Sequence, residues 1–156
     1  MRSQNAVGMA YQFVVRYHSL RAVEAAGTRP GLAVSVDYDR TELRTGGVVR
    51  VRAAVTNRTA TDARMVLVDI GTPPGFAVRP AGLEKLRERG AIQRYTLTAR
   101  GVIVYLDRLP AGRTLAITYE MTARMPLRAV ARPTTVYAYY DPDRRAAARP
   151  ATFVVR

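Results

Sequence analysis

With 156 residues, 48% of them hydrophobic, the chain is long enough for one real core and too apolar for a disordered tail. The absence of cysteine excludes disulfides, a thioester, zinc–thiolate sites and cysteine nucleophiles, and a single histidine, His18, excludes a histidine-rich metal site. The net charge of +13 is carried almost entirely by arginine, with Lys85 the only lysine, and no apolar run approaches the roughly 20 residues of a membrane-spanning helix.

In chain order, Tyr11 to Tyr17 is the first strand signal, and Met1 to Leu20 reads as a strand carried over from a preceding domain. No apolar stretch of signal-peptide length lies at the N-terminus. Residues 21–31 are small and polar and read as a loop or linker. Residues 32–156 then form one domain whose dominant signal is period two.

Leu32, Val34, Val36 and Tyr38 alternate with Ala33, Ser35 and Asp37. Val49, Val51, Ala53 and Val55 alternate with Arg50, Arg52 and Ala54, and Leu115, Ile117, Tyr119 and Met121 repeat the pattern. Such strands have one face for a core and one for solvent. Met65 to Ile70 and Val102 to Leu106 are apolar throughout and read as central strands buried on both sides. Arg94 to Thr98, Thr134 to Tyr140 and Thr152 to Val155 complete the set. Turn signals such as Thr45-Gly46-Gly47, Asn57-Arg58-Thr59 and Pro110-Ala111-Gly112 separate them. The fold class is therefore all-β, a two-sheet antiparallel β-sandwich.

One segment breaks the pattern. Pro80 to Gly90 reads as a short inserted α-helix, with Pro80 at its first turn and Gly90 ending it in a left-handed conformation. Leu83 and Leu86 share one face, with Ile92 just beyond, and Glu84, Lys85, Arg87, Glu88 and Arg89 form the other.

From Met65 the chain reads MVLVDIGTPPGF, then the helix, then IQRYTLTARGVIVYLDRLPAG, and later MPLRAVARPTTVYAYYDPD. The order Val68-Asp69-Ile70, Gly75-Phe76, Arg94-Tyr95, Tyr105-Leu106-Asp107 and Val136-Tyr137-Ala138-Tyr139-Tyr140 resembles the receptor-binding domain that ends alpha-macroglobulins and related thioester proteins. Gly8-Met9-Ala10-Tyr11-Gln12 resembles the strand that leads into that domain. The resemblance implies two antiparallel sheets with one helix. It also implies an extracellular or periplasmic setting and a recognition or architectural role in a protease-trapping protein, with bait region and thioester in other domains. Two receptor-contacting lysines of the family's animal members match Pro80 and Glu84, with Arg79 and Lys85 one residue away; the family's VYDYY aspartate is Ala138. The arginine bias points to a bacterial source.

The best partner-binding patch is a helix face of Arg79, Lys85, Arg87, Arg89 and Arg94, where clustered cations meet acidic side chains. Tyr137, Tyr139 and Tyr140 form a candidate aromatic interface, with alternation placing Tyr137 and Tyr139 on one face and Tyr140 on the other. The expected partners are a protein or neighbouring macroglobulin domains. The alternative is a small module that binds heparin, nucleic acid or another polyanion through its arginines. No cofactor or metal is expected: Asp37 with Asp39 and Asp141 with Asp143 suit turns and solvation better than calcium. Ser3, Ser19 and Ser35 lie near His18 in sequence without a nucleophile elbow, so no enzyme is expected.

Overall fold

A computed structural model describes residues 31–156. The expected strand at Tyr11–Tyr17, the preceding-domain segment, most of the linker and the Ser3, His18 and Ser19 positions lie outside them.

The described chain is a β-sandwich with one helix, in the order β1 (Leu32–Tyr38), β2 (Glu42–Leu43), β3 (Val48–Asn57), β4 (Ala63–Gly71), β5 (Phe76–Arg79), α1 (Ala81–Glu88), β6 (Arg94–Thr98), β7 (Gly101–Leu109), β8 (Thr114–Ala123), β9 (Leu127–Val130), β10 (Thr135–Ala138), β11 (Asp141–Ala147) and β12 (Thr152–Val155). A four-stranded sheet, β1-β3-β8-β5, faces a five-stranded sheet, β11-β10-β4-β7-β6, and both are antiparallel. A three-stranded sheet, β2-β12-β9, carries the one parallel pairing among the described residues, β12 with β2.

Period two builds the core. Val49, Val51 and Val55 of β3 and Ile117 of β8 are fully buried, as are Val66, Val68 and Ile70 of β4 and Val102 and Val104 of β7. At roughly 1.5–3 kcal/mol for each buried side chain of this size, burial dominates the stability of the sandwich. The expectation for Met65–Ile70 and Val102–Leu106 needs correction. β4 and β7 are central strands, but Met65, Leu67, Ile103 and Tyr105 on their outer face are only half-buried. Apolar residues on both faces of a strand do not require a second covering layer; on this outer face Arg94 lies over the Tyr105 ring and Arg132 pairs with Asp69. Met65 also has φ 47°, a left-handed conformation uncommon for an unbranched side chain, and its carbonyl accepts the Tyr139 amide at 2.8 Å.

Four strands had no clear alternation in the sequence: β2, β5, β9 and β11. β11 is built from Asp-Pro-Asp-Arg-Arg-Ala-Ala, poor strand formers held in place by pairing with β10. The Asn57-Arg58-Thr59 signal marks a buried anchor. The Asn57 amide donates to the Thr61 and Leu109 carbonyls at 2.8 and 2.9 Å, and its oxygen accepts from the Thr59 amide and hydroxyl.

Two buried hydroxyls, Tyr119 Oη and Thr72 Oγ1, lack a hydrogen-bond partner among the described residues. Burial drives the Tyr119 phenol well above its ordinary pKa, and the nearby Thr72 hydroxyl offsets only part of that. An unsatisfied buried hydroxyl costs about 1–3 kcal/mol. Tyr119→Phe is therefore expected to stabilise the domain by about 1 kcal/mol in urea unfolding. A loss of that size would instead show that the phenol is hydrogen-bonded, to the Thr72 hydroxyl or through a buried water.

Candidate functional site

The helix forms as its sequence dictates, and its ends explain its position. Pro80 is the N-cap residue, and Leu83 and Leu86 are buried against the sandwich. At the C-terminus the Gly90 amide donates to Arg87 O and the Ala91 amide to Leu86 O, both at 2.9 Å, with Gly90 at φ 69°. That is the Schellman closure, which satisfies two otherwise orphaned carbonyls. α1 takes over where β5 ends, packing beside β8 and β6. Gly82 permits the approach: a Cβ there would lie 2.5 Å from the Thr118 carbonyl oxygen and 3.0 Å from the Tyr119 Cα.

The five cations expected on one helix face do not share a ridge. Arg79 is the last residue of β5, on the outer face of the four-stranded sheet, and Arg94 is the first residue of β6, on the other sheet. Pro80 starts the helix one residue after Arg79, so Arg79 takes its direction from a strand. Arg87 pairs with Glu84 at 2.7 Å, and the Tyr95 hydroxyl donates a short hydrogen bond to the same carboxylate. That hydrogen bond, with some burial, raises the Tyr95 pKa. Arg94 places its guanidinium 3.9 Å from the centre of the Tyr105 ring. Arg89 is exposed at the helix C-cap and makes no ion pair among the described residues.

What the fold gathers instead is Arg79, Lys85 and Arg50. The register of β3, β8 and β5 sets Arg50, Glu120 and Arg79 side by side across three strands. Glu120 receives Arg50 at 3.6 Å and Arg79 at 3.7 Å, and Arg79 Nε donates to Thr122 Oγ1 at 2.8 Å. Lys85 closes the far side from the helix. Together with Gly82 and Thr118 these residues line a cleft of about 340 Å³. Three cations share the cleft with one carboxylate. Both ion pairs to Glu120 are longer than a hydrogen bond, so the terminal guanidinium nitrogens that face it are not consumed by it, while Arg79 Nε is held by Thr122. The cleft suits an incoming carboxylate. Alternation alone placed Arg50 on the solvent face, but its cross-strand neighbours depend on strand order.

The tyrosines are also rearranged. The strand expected over Thr134–Tyr140 stops at Ala138, where the pairing with β11 shifts register between Tyr137 and Ala138. Tyr137 is half-buried on the outer face of its sheet, beside Leu67. Tyr139 and Tyr140 lie in the following turn, 57% and 75% exposed, and meet edge to face with ring centroids 5.3 Å apart. The bulge breaks the alternation, so Tyr139 and Tyr140 come together instead of pointing to opposite faces. Of the aspartates, Asp39 accepts the Arg50 amide at 2.8 Å and pairs with Arg40, and Asp141 pairs with Arg144.

Comparison with known proteins agrees with this architecture. The family described as the A-macroglobulin receptor binding domain matches residues 61–149. No curated protein sequence matches the chain. Among solved structures, the Y1175G mutant of Salmonella alpha-2-macroglobulin superposes with a TM-score of 0.67 at 18% identity, over 80% of this chain and 9% of that one. Trypsin-activated alpha-2-macroglobulin from Escherichia coli gives 0.70 at 15% identity, over 83% of this chain and 10% of that one. The native Escherichia coli protein from domain MG7 to its C-terminus gives 0.68 at 16% identity, over 83% and 25%. The chain thus spans about a tenth of the full-length macroglobulins it resembles. With the family matched over more than half its length, and with the sandwich and inserted helix in place, this chain belongs to the alpha-macroglobulin receptor-binding domain family.

Proposed function

We propose that the chain is the recognition and architectural domain of an alpha-macroglobulin-like, endopeptidase-trapping protein, exported to the periplasm or cell exterior. It acts by protein–protein binding, without catalytic or thioester chemistry of its own. The observation that carries this reading is the family match over residues 61–149. The cleft formed by Arg50, Arg79 and Lys85 is the contact, and its partner presents carboxylates from another protein or a neighbouring domain. An antibody against this domain tests the parent protein. It should detect in cell extract a polypeptide far larger than 17.2 kDa that trypsin treatment converts to a compact, protease-bearing form. A band at 17.2 kDa alone sinks the reading.

The polyanion reading needs the arginines gathered in a stripe. They fall instead on every layer: Arg50 and Arg52 on β3, Arg64 and Arg108 on β4 and β7, Arg128 on β9, Arg144 and Arg145 on β11. Replacing Arg79 and Lys85 together with Glu is expected to weaken binding of a poly-glutamate peptide at least tenfold, since reversing charges in a cation cleft costs on the order of 1.4 kcal/mol or more. Heparin binding unchanged by that pair, with poly-glutamate unbound by the wild type, favours the polyanion module.

A further inference from the structure

An open sheet edge is a row of peptide groups without a strand neighbour, and proteins protect such edges with charge, proline, bulges, brevity or cover. Three sheets give this domain six edges among the described residues. β2 has two residues. β5 has four and runs into Pro80, after which α1 lies beside β8. β9 also has four, follows Pro126 and carries Arg128. β11 contains Pro142, Arg144 and Arg145 and is bulged against β10. β1 packs alongside β11, and Gly31 at its start lies against the Arg144 side chain.

α1 touches β6 at Tyr95, whose hydroxyl bonds Glu84, but beyond that contact and one terminal charge β6 has none of these protections among the described residues. Arg94-Tyr95-Thr96-Leu97-Thr98 pairs with β7 in unbroken register, contains no proline or lysine, and is uncharged after its first residue. Leu97 is 45% exposed although it is paired with buried Val102. The core therefore reaches this edge without being closed there.

We infer that β6 is a docking edge for an extended segment of another protein, which joins the five-stranded sheet as a sixth strand. Only a strand matches a row of alternating peptide donors and acceptors, so the edge itself specifies the shape of its occupant. The side chains specify the rest. Arg94, held over the Tyr105 ring, calls for a carboxylate beside it. Tyr95 and Leu97 share the inward face and call for apolar neighbours, with a small polar residue beside Thr96. A net charge of +13 opposes pairing with a second copy and favours an acidic partner. This surface lies on the opposite sheet from Arg50 and Arg79, and the inference does not depend on the cleft.

The test titrates a soluble peptide carrying Thr-Val-Thr-Val-Glu into the isotope-labelled full chain and follows backbone amides by NMR. Binding with Kd on the order of 1 mM or tighter is expected, with shifts centred on residues 94–98 and slowed hydrogen exchange there. Methylating alternate peptide nitrogens should abolish binding for one of the two alternating sets, because main-chain donors carry the contact. Leu97→Lys, with its melting temperature checked, should weaken binding about tenfold. Three results overturn the inference: no shifts at residues 94–98, β6 amides already protected in the free chain, or equal binding of both methylated peptides. Concentration-dependent dimers by sedimentation, lost in Leu97→Lys, would overturn the proposed occupant in favour of a second copy.

Discussion

Phe153→Ala is expected to destabilise the domain by about 3–5 kcal/mol, the usual cost of removing a fully buried aromatic ring. In a domain of this size that lowers the melting temperature by roughly 10–20 °C. Phe153 is completely buried. Its ring meets Tyr38 edge-on at 4.9 Å and Phe76 at 5.3 Å. Those partners belong to β1 and β5, the two edges of the four-stranded sheet, while Phe153 sits on β12 of the small sheet. The ring therefore joins three strands far apart in sequence. Its loss leaves a cavity between two sheets that cannot easily collapse, and it breaks two aromatic contacts together. Phe153→Leu keeps most of the volume and should cost less than about 2 kcal/mol beyond the lost ring contacts. Thermal unfolding by circular dichroism decides it. A fall of only a degree or two for the alanine variant would mean that the small sheet does not seal the core.

Gly82→Ala should also destabilise, against what helix propensity alone predicts. In an exposed helix alanine is better than glycine by about 1 kcal/mol. Here the new Cβ would meet the Thr118 carbonyl oxygen at 2.5 Å, a backbone atom of β8 that cannot swing aside. Overpacking of this kind typically costs about 1–3 kcal/mol, so the net change should be a loss of up to about 2 kcal/mol. The helix must move away from β8 to relieve the contact, and Lys85, one turn on, moves with it. The cleft with Arg50 and Arg79 then widens, so poly-glutamate binding should weaken in the same variant. Gly90, by contrast, has open space at its Cβ position, so its requirement is the left-handed backbone alone. A gain in stability for Gly82→Ala would show that the helix does not sit against β8 as described.

Most of the sandwich was legible because burial repeats every second residue. Val49 to Val55 and Leu115 to Met121 show their core faces directly, and β3 and β8 pair along those runs. The helix was legible from Pro80, Leu83, Leu86 and Gly90, each about one turn from the next. β11 was not legible, because Asp-Pro-Asp-Arg-Arg has no strand preference of its own and is held by β10. The tyrosine turn was misplaced because nothing in Tyr137 to Tyr140 announces the register shift after Tyr137.

The amino-acid order by itself determined the fold class, the core strands, the helix and its ends, and the order of motifs that resembles the macroglobulin domain. These are set by neighbours within a few residues, where periodicity and turn chemistry act. Only the tertiary structure decided which charges meet. Arg50 reaches Arg79 through Glu120, Arg94 lies over Tyr105, and β6 is left at the edge of its sheet among the described residues, all because of strand order and register. Period two tells which face a side chain takes; which strand lies beside it depends on contacts between residues distant in the chain.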